Sequence, residues 1–164
     1  MNEAFGGNET LEDARRWVQW SFDSDKFHDL MAQPGYGDYA VVLRDSGVLI
    51  GAVGLVPSMI PWGVFSEFRP ADTPPHTLTT AEYGLFWAAR THVRGAGYMP
   101  EAAKAFVEQY LWRELQAVRV VAMTEFNNVA SQRVMEKLGM HLYLNPILDP
   151  VWFQVVGVLD NPAL

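Results

Sequence analysis

Two short stretches of this chain carry residue types that can do chemistry. The first is Arg94-Gly95-Ala96-Gly97-Tyr98-Met99, between a strand-like run and a helix-like run. A helix start presents N–H groups without intrahelical acceptors and the positive end of the helix dipole. Two glycines there let the backbone approach a ligand closely and point successive amides outward. Arg94 adds a cation at the mouth. Such a combination can cradle a pyrophosphate. The same segment also reads as a plain strand-to-helix turn that needs glycine for its sharpness. The second stretch runs from Glu125 to Met140 and follows the next strand-like run. In it Asn128 can cap a helix and Gly139 can stop one.

Other common chemistries find no support. No GK[ST] triplet closes a phosphate-binding loop. Gly95-Ala96-Gly97 opens like a dinucleotide fingerprint, but position 100 is proline where a third glycine belongs. No G-x-S-x-G elbow occurs. The cysteine count is zero, which excludes a thiol nucleophile, a disulfide framework and a cysteine-ligated metal. His28, His76, His92 and His141 share no metal-ligand spacing, so no metal is expected. The carboxylates show no pairing of the glycosidase kind. With a formal charge of −7, the surface repels phosphate backbones, and a nucleic-acid partner is not expected. The same balance suits a cationic partner.

The elements that must position these residues follow from pattern. With 164 residues, 49% of them hydrophobic and 19% charged, the chain reads as one domain spanning 1–164 with a single core. Thr10 caps a helix whose first turn carries Glu12 and Asp13, with Leu11, Ala14, Trp17, Val18 and Phe22 at helical spacing. Asp23-Ser24-Asp25 is read as a break before a short second helix carrying Phe27, Leu30 and Met31. Tyr39–Leu43 and Val48–Val56 are β-rich runs joined by Arg44-Asp45-Ser46-Gly47, which predicts an antiparallel hairpin. This hairpin also disarms the uncharged stretch from Ser46 to Phe65, whose glycines and prolines break a membrane span, so no membrane partner is expected. Pro57 to Thr79 reads as a long irregular segment with Trp62, Phe65 and Phe68. These aromatics either contact a substrate or fold back on the body. Thr80–Ala89 is predicted as a strand, Pro100–Gln116 as the longest helix, and Val118–Thr124 as a strand parallel to the first. Asn128–Leu138 is predicted as a helix, and His141–Leu144 and Val151–Leu159 as closing strands. The first ten residues lack the basic start and apolar run of a signal peptide, and the absence of cysteine suits the cytosol. The fold class expected is α/β, a mixed sheet with one crossover pair.

Taken together, the two chemical stretches resemble the GNAT superfamily of acetyl-CoA-dependent N-acetyltransferases. The resemblance is closest to the branch that includes the ribosomal-protein N-terminal (alanine) acetyltransferases. It rests on Arg94…Gly97…Met99 at the head of the long helix and on Asn128…Ser131…Glu136-Lys137-Leu138-Gly139-Met140 one strand later. It runs from about Glu82 to Met140. It implies a splayed, mostly antiparallel sheet whose cofactor, acetyl-CoA, enters between the two parallel strands as co-substrate. Backbone amides of Gly95, Ala96, Gly97, Tyr98 and Met99 would hold the pyrophosphate beside Arg94. The strand at Phe86 and Trp87 would bind the pantetheine arm, with Asn128 and Ser131 beside the thioester. Glu82 matches a strand position where some members hold a general base, and it reads equally as an exposed strand carboxylate. The usual acid tyrosine is replaced by Met135, and Ser131 is its natural substitute. The activity implied is transfer of an acetyl group to a primary amine, a protein N-terminus or a small molecule, with Trp62 and Phe65 as substrate contacts. The alternative is a non-catalytic acyl-CoA-binding or regulatory module. The strand with which the family usually begins has no counterpart before Thr10, which would leave an edge that a second copy could cover as a homodimer.

Overall fold

The computed structural model describes residues 10–164. In chain order the regular elements are α1 (Leu11–Leu30), β1 (Gly37–Val42), β2 (Leu49–Ile60), β3 (Thr80–Ala89), α2 (Tyr98–Phe106), β4 (Arg119–Thr124), α3 (Val129–Leu138), β5 (His141–Leu144) and β6 (Val155–Asp160). Among the described residues the strands form one six-stranded sheet in the order β1-β2-β3-β4-β6-β5. β1 with β2, β4 with β6 and β5 with β6 are antiparallel. β3 and β4 are parallel, with Gly84 opposite Val121. The mixed α/β sheet with one parallel pair is therefore as expected. The missing-first-strand expectation falls on residues 1–9, outside the described residues.

By internal contact the chain divides into two compact units. The first comprises the chain up to Val56 together with Phe86–Leu115. Its buried residues include Ile50, Val53 and Leu55 of β2, Ala88 of β3, and Met99, Ala103, Val107 and Leu111 along the long helix. Thr10 caps α1 through a reciprocal box. Its hydroxyl accepts from the Asp13 N–H, and the Asp13 carboxylate accepts from the Thr10 N–H. The predicted break at Asp23-Ser24-Asp25 does not occur, and α1 runs on to Leu30. Those three residues are mediocre helix formers but contain neither proline nor glycine, and Gln19 Nε2 donates to Asp23 across one turn. The helix stops where Ala32 turns left-handed at φ +50°.

The hairpin forms in antiparallel register from Gly37 opposite Leu55 to Val42 opposite Leu49. β2 is longer than predicted and passes through Pro57 to Ile60. The β1 ladder ends at Leu55, so Pro57 withholds no hydrogen bond from it. Two close approaches demand glycine here. A Cβ on Gly51 would sit 2.2 Å from the Ala88 carbonyl oxygen, and one on Gly54 would sit 2.3 Å from the Phe86 ring. The predicted long helix spans the expected region but changes winding. After α2 it continues as a π-helical segment, Val107–Glu114, and the Leu115 N–H donates to the Tyr110 carbonyl, five residues back. The Tyr110 hydroxyl donates to the Gly35 carbonyl, and its ring packs on Phe106 and Tyr39. Burial pushes its pKa up first of all, with the Tyr39 hydroxyl adding to it.

The second unit comprises Pro57–Leu85 and Gln116–Leu164. Trp62, Phe65, Val121, Phe153, Val156 and Val158 form its core. The irregular segment predicted from Pro57 begins only after Ile60. It holds two single 3-10 turns, Trp62–Val64 and Ser66–Phe68, which tuck their rings inward. The closing strand starts at Val155, later than predicted, because Val151–Phe153 is a turn that drives Phe153 into the core. Asn145 Nδ2 fixes that turn by donating to the Phe153 carbonyl at 2.9 Å. No helix among the described residues is long and apolar enough to cross a membrane.

Candidate active site

The glycine turn is built as a mouth. Thr91–Val93 forms one 3-10 turn after β3, and α2 begins at Tyr98. Gly95 and Gly97 have φ of +80° and +89°, which L-residues with a Cβ avoid. A Cβ at either position would meet nothing within 4 Å. The glycines are thus required by backbone conformation, and open space lies beside them. Gly97 caps α2 without a side-chain hydrogen bond, so the first N–H groups of the helix receive no cap from it. Arg94, Gly95, Ala96 and Tyr98 are exposed, while Met99 turns inward. Arg94 Nε donates to the Ala89 carbonyl at 3.3 Å, tying the turn to the end of β3. An exposed amide turn with free space beside it fits a diphosphate.

In the same unit, Phe86 and Trp87 are half-buried on β3. The recorded parallel register is at Gly84, before them. The Phe86 ring covers Gly54.

The second unit holds the remaining residues. Asn128 caps α3, its Oδ1 accepting from the Ser131 N–H at 3.1 Å. That leaves the Asn128 side-chain N–H pair and the Ser131 hydroxyl for a ligand, and both residues are half-buried. Gly139 stops α3 at φ +83°. Met135, where the resemblance expects a tyrosine, is fully buried and packs near Gly157. Glu82 is half-buried on β3. Burial raises its pKa above the ordinary 4.5, the Arg119 guanidinium opposes this, and Asp160 reinforces it.

Arg119 was not singled out from sequence. Its Nε lies 2.6 Å from an Asp160 carboxylate oxygen, Nη1 donates to the Glu67 carbonyl, and the guanidinium sits 4.6 Å from the Phe68 ring centre. A lone arginine opening a strand carries no signal in one sequence. Its importance arises from partners up to 52 residues away.

Trp62 and Phe65 do not present themselves to a substrate. Trp62 is 0% and Phe65 5% exposed. Trp62 stacks on Phe68, meets Phe153 edge-on and donates its indole N–H to the Ser58 carbonyl at 2.9 Å. Of the two readings of these aromatics, folding back on the body is the one observed.

A family model for the acetyltransferase (GNAT) domain matches residues 1–141. Among curated proteins, the chain is 30% identical over 139 residues to the uncharacterized protein YkkB of Bacillus subtilis (strain 168), covering 84% of this chain and 66% of YkkB. It is 31% identical over 102 residues to the uncharacterized N-acetyltransferase YnaD of the same organism, covering 62% and 48%. The chain therefore spans between about half and two thirds of the curated relatives it matches. Similar solved structures include an acetyltransferase from Agrobacterium tumefaciens str. C58 (TM-score 0.63, 22% identity, 96% of this chain and 77% of that one). They also include the aminoglycoside acetyltransferase AAC(6')-Ib in complex with coenzyme A (TM-score 0.61, 21% identity, 99% and 83%). At such identities these likenesses establish the fold.

Proposed function

Because the chain belongs to the GNAT acetyltransferase domain family, we propose that it transfers an acetyl group from acetyl-CoA to a primary amine. The observation that carries this reading is the open amide turn at Gly95–Met99, with two left-handed glycines and no side-chain cap. In this reading residues 1–164 act as one acyl-CoA-binding domain. When bound, acetyl-CoA supplies a thioester carbonyl carbon as the electrophile.

The N–H groups of Gly95–Met99 take the diphosphate charge, supported by the α2 dipole and by Arg94. Backbone N–H groups at Phe86–Trp87 hold the pantetheine arm, and one of them donates to the carbonyl oxygen as negative charge develops. The Asn128 side-chain amide also steadies the arm. Glu82 takes the proton the amine must lose, directly or through a water, and its raised pKa makes it a better base than an ordinary carboxylate. The amine nitrogen bonds to the carbonyl carbon, the carbon–sulfur bond breaks, and the Ser131 hydroxyl gives its proton to the departing sulfur and recovers one from solvent. Much of the rate enhancement comes from aligning amine and thioester.

The acceptor is a protein N-terminus, as in the ribosomal-protein branch, or a small amine. AAC(6')-Ib, solved with coenzyme A and kanamycin, is a neighbour of the second kind. The proposed setting is cytoplasmic, and a homodimer is one assembly this reading admits. The test is thiol release from acetyl-CoA with a panel of amines. Amine-dependent release that falls at least tenfold in Glu82→Gln supports the reading, and no release with any amine overturns it. Met135, buried where the family usually carries an acid tyrosine, favours a second reading, a non-catalytic acyl-CoA-binding module. Tight acetyl-CoA binding without turnover would select it.

A further inference from the structure

The first unit contains a cleft of about 740 Å³ that no step above uses. One wall is a stripe of α1, where Val18, Phe22 and Asp25 follow at helical spacing. The opposite wall is the β1–β2 hairpin, with Asp38 and Tyr39, and Arg90 stands at the rim after β3. The cleft is apolar where it should not be for an empty surface. Val18 is 60% and Phe22 58% exposed, and contiguous exposed apolar surface marks a binding site.

It is also negative. Among its lining residues Asp25 and Asp38 outnumber Arg90, Asp25 is exposed, and the Lys26 ammonium already lies 4.1 Å from the Phe22 ring centre. Asp38 spends one carboxylate oxygen on the Trp17 indole N–H. Its other oxygen, Oδ1, is buried without a hydrogen-bond partner among the described residues. Buried carboxylate oxygens are normally paired, and one left over is costly until a donor arrives. A neutral ligand would fill the apolar walls and could donate an O–H to that oxygen, but it would leave the carboxylate charge unbalanced. An anion would be repelled. A cation with an apolar body satisfies both, with its ammonium toward the carboxylates and its hydrocarbon part against Phe22 and Tyr39.

We propose that this cleft binds an organic ammonium ion carrying an aromatic or aliphatic body. Glu82, the proton acceptor of the acetyl-transfer reading, does not line this cleft, so the inference stands on the cleft alone.

The test is calorimetric titration of the full chain, at low salt and pH 7, with phenethylammonium and with the neutral isostere 2-phenylethanol. The ammonium should bind saturably and at least tenfold more tightly than the alcohol. Asp38→Asn should weaken it at least tenfold, the scale of one charge-assisted hydrogen bond, and Phe22→Ser should weaken it as well. Should Asp38→Asn fail to fold, Asp25→Asn on the exposed face of α1 carries the same expectation. Equal binding of cation and alcohol, no saturable binding, or a cation affinity untouched by the carboxylate changes would overturn the proposal. A parallel acetyl-CoA titration separates the two readings. Acetyl-CoA binding without ammonium binding sinks only the cleft, and the reverse sinks only the acetyl-transfer reading.

Discussion

Replacing Gly97 with alanine separates what the turn does for the fold from what it does for a ligand. Gly97 stands at φ +89°, and an added Cβ meets no atom within 4 Å. No clash therefore contributes, and the cost is backbone strain alone, about 1–2 kcal/mol for a left-handed L-residue. For a chain of this length that lowers Tm by roughly 2–8 °C. The open space beside Gly97 is where a diphosphate would lie, so the same Cβ should also weaken acetyl-CoA at least tenfold, about 1.4 kcal/mol. Gly47 supplies the control. It sits in the hairpin turn at φ +66°, also with nothing within 4 Å of a built Cβ. Gly47→Ala should lower Tm similarly and leave acetyl-CoA affinity unchanged. Differential scanning calorimetry and titration calorimetry read the two quantities. Equal losses of affinity in both variants, or a destabilised Gly97→Ala with intact affinity, would refute the assignment of the turn.

Other changes probe the second unit. Trp62→Ala removes a fully buried ring and should cost about 3–5 kcal/mol in urea denaturation. A substrate contact would instead raise KM at unchanged stability. Arg119→Ala breaks the Asp160 ion pair, the Glu67 carbonyl bond and the contact over Phe68, and should cost about 1–3 kcal/mol. Asn128→Ala, which removes the cap of α3, should cost about 1 kcal/mol. The folded chain holds the Glu82 proton to higher pH than the unfolded chain does. Between pH 4.5 and the raised folded value the folded state binds more protons, so this group subtracts stability as pH rises through that window. Glu82→Gln should therefore be more stable than the parent at pH 7, with the gain gone below pH 4.5, as read by Tm across pH.

Much of the architecture was legible because local signals and tertiary demands agree. Thr10 with Asp13, Asn128 with Ser131, and the left-handed Gly139 are caps that act within four residues, and sequence shows them directly. The run Thr80–Ala89 has the predicted bounds of β3. The misreadings came where distant packing decides. Pro57 looked like a strand breaker, but the register with β1 ends two residues earlier and tolerates it. Asp23-Ser24-Asp25 looked like punctuation, yet α1 continues through it. The π winding after Phe106 leaves no composition signal, since it shows only where Leu115 bonds Tyr110. At the candidate site, the glycine turn could be read because positive φ calls for glycine. Arg119 and the inward rings of Trp62 and Phe65 could not, because their partners come from remote segments.

The account turns on a diphosphate held by the amides that open α2. Calorimetric titration with acetyl-CoA and with acetyl-pantetheine, which shares the thioester but lacks the diphosphate and the 3′-phosphoadenosine, tests this when read in the parent and in a variant of the turn. Acetyl-CoA should bind at one site per chain and at least a hundredfold more tightly, about 2.7 kcal/mol, with the difference abolished in Gly97→Trp. Equal affinity for the two thioesters would contradict it.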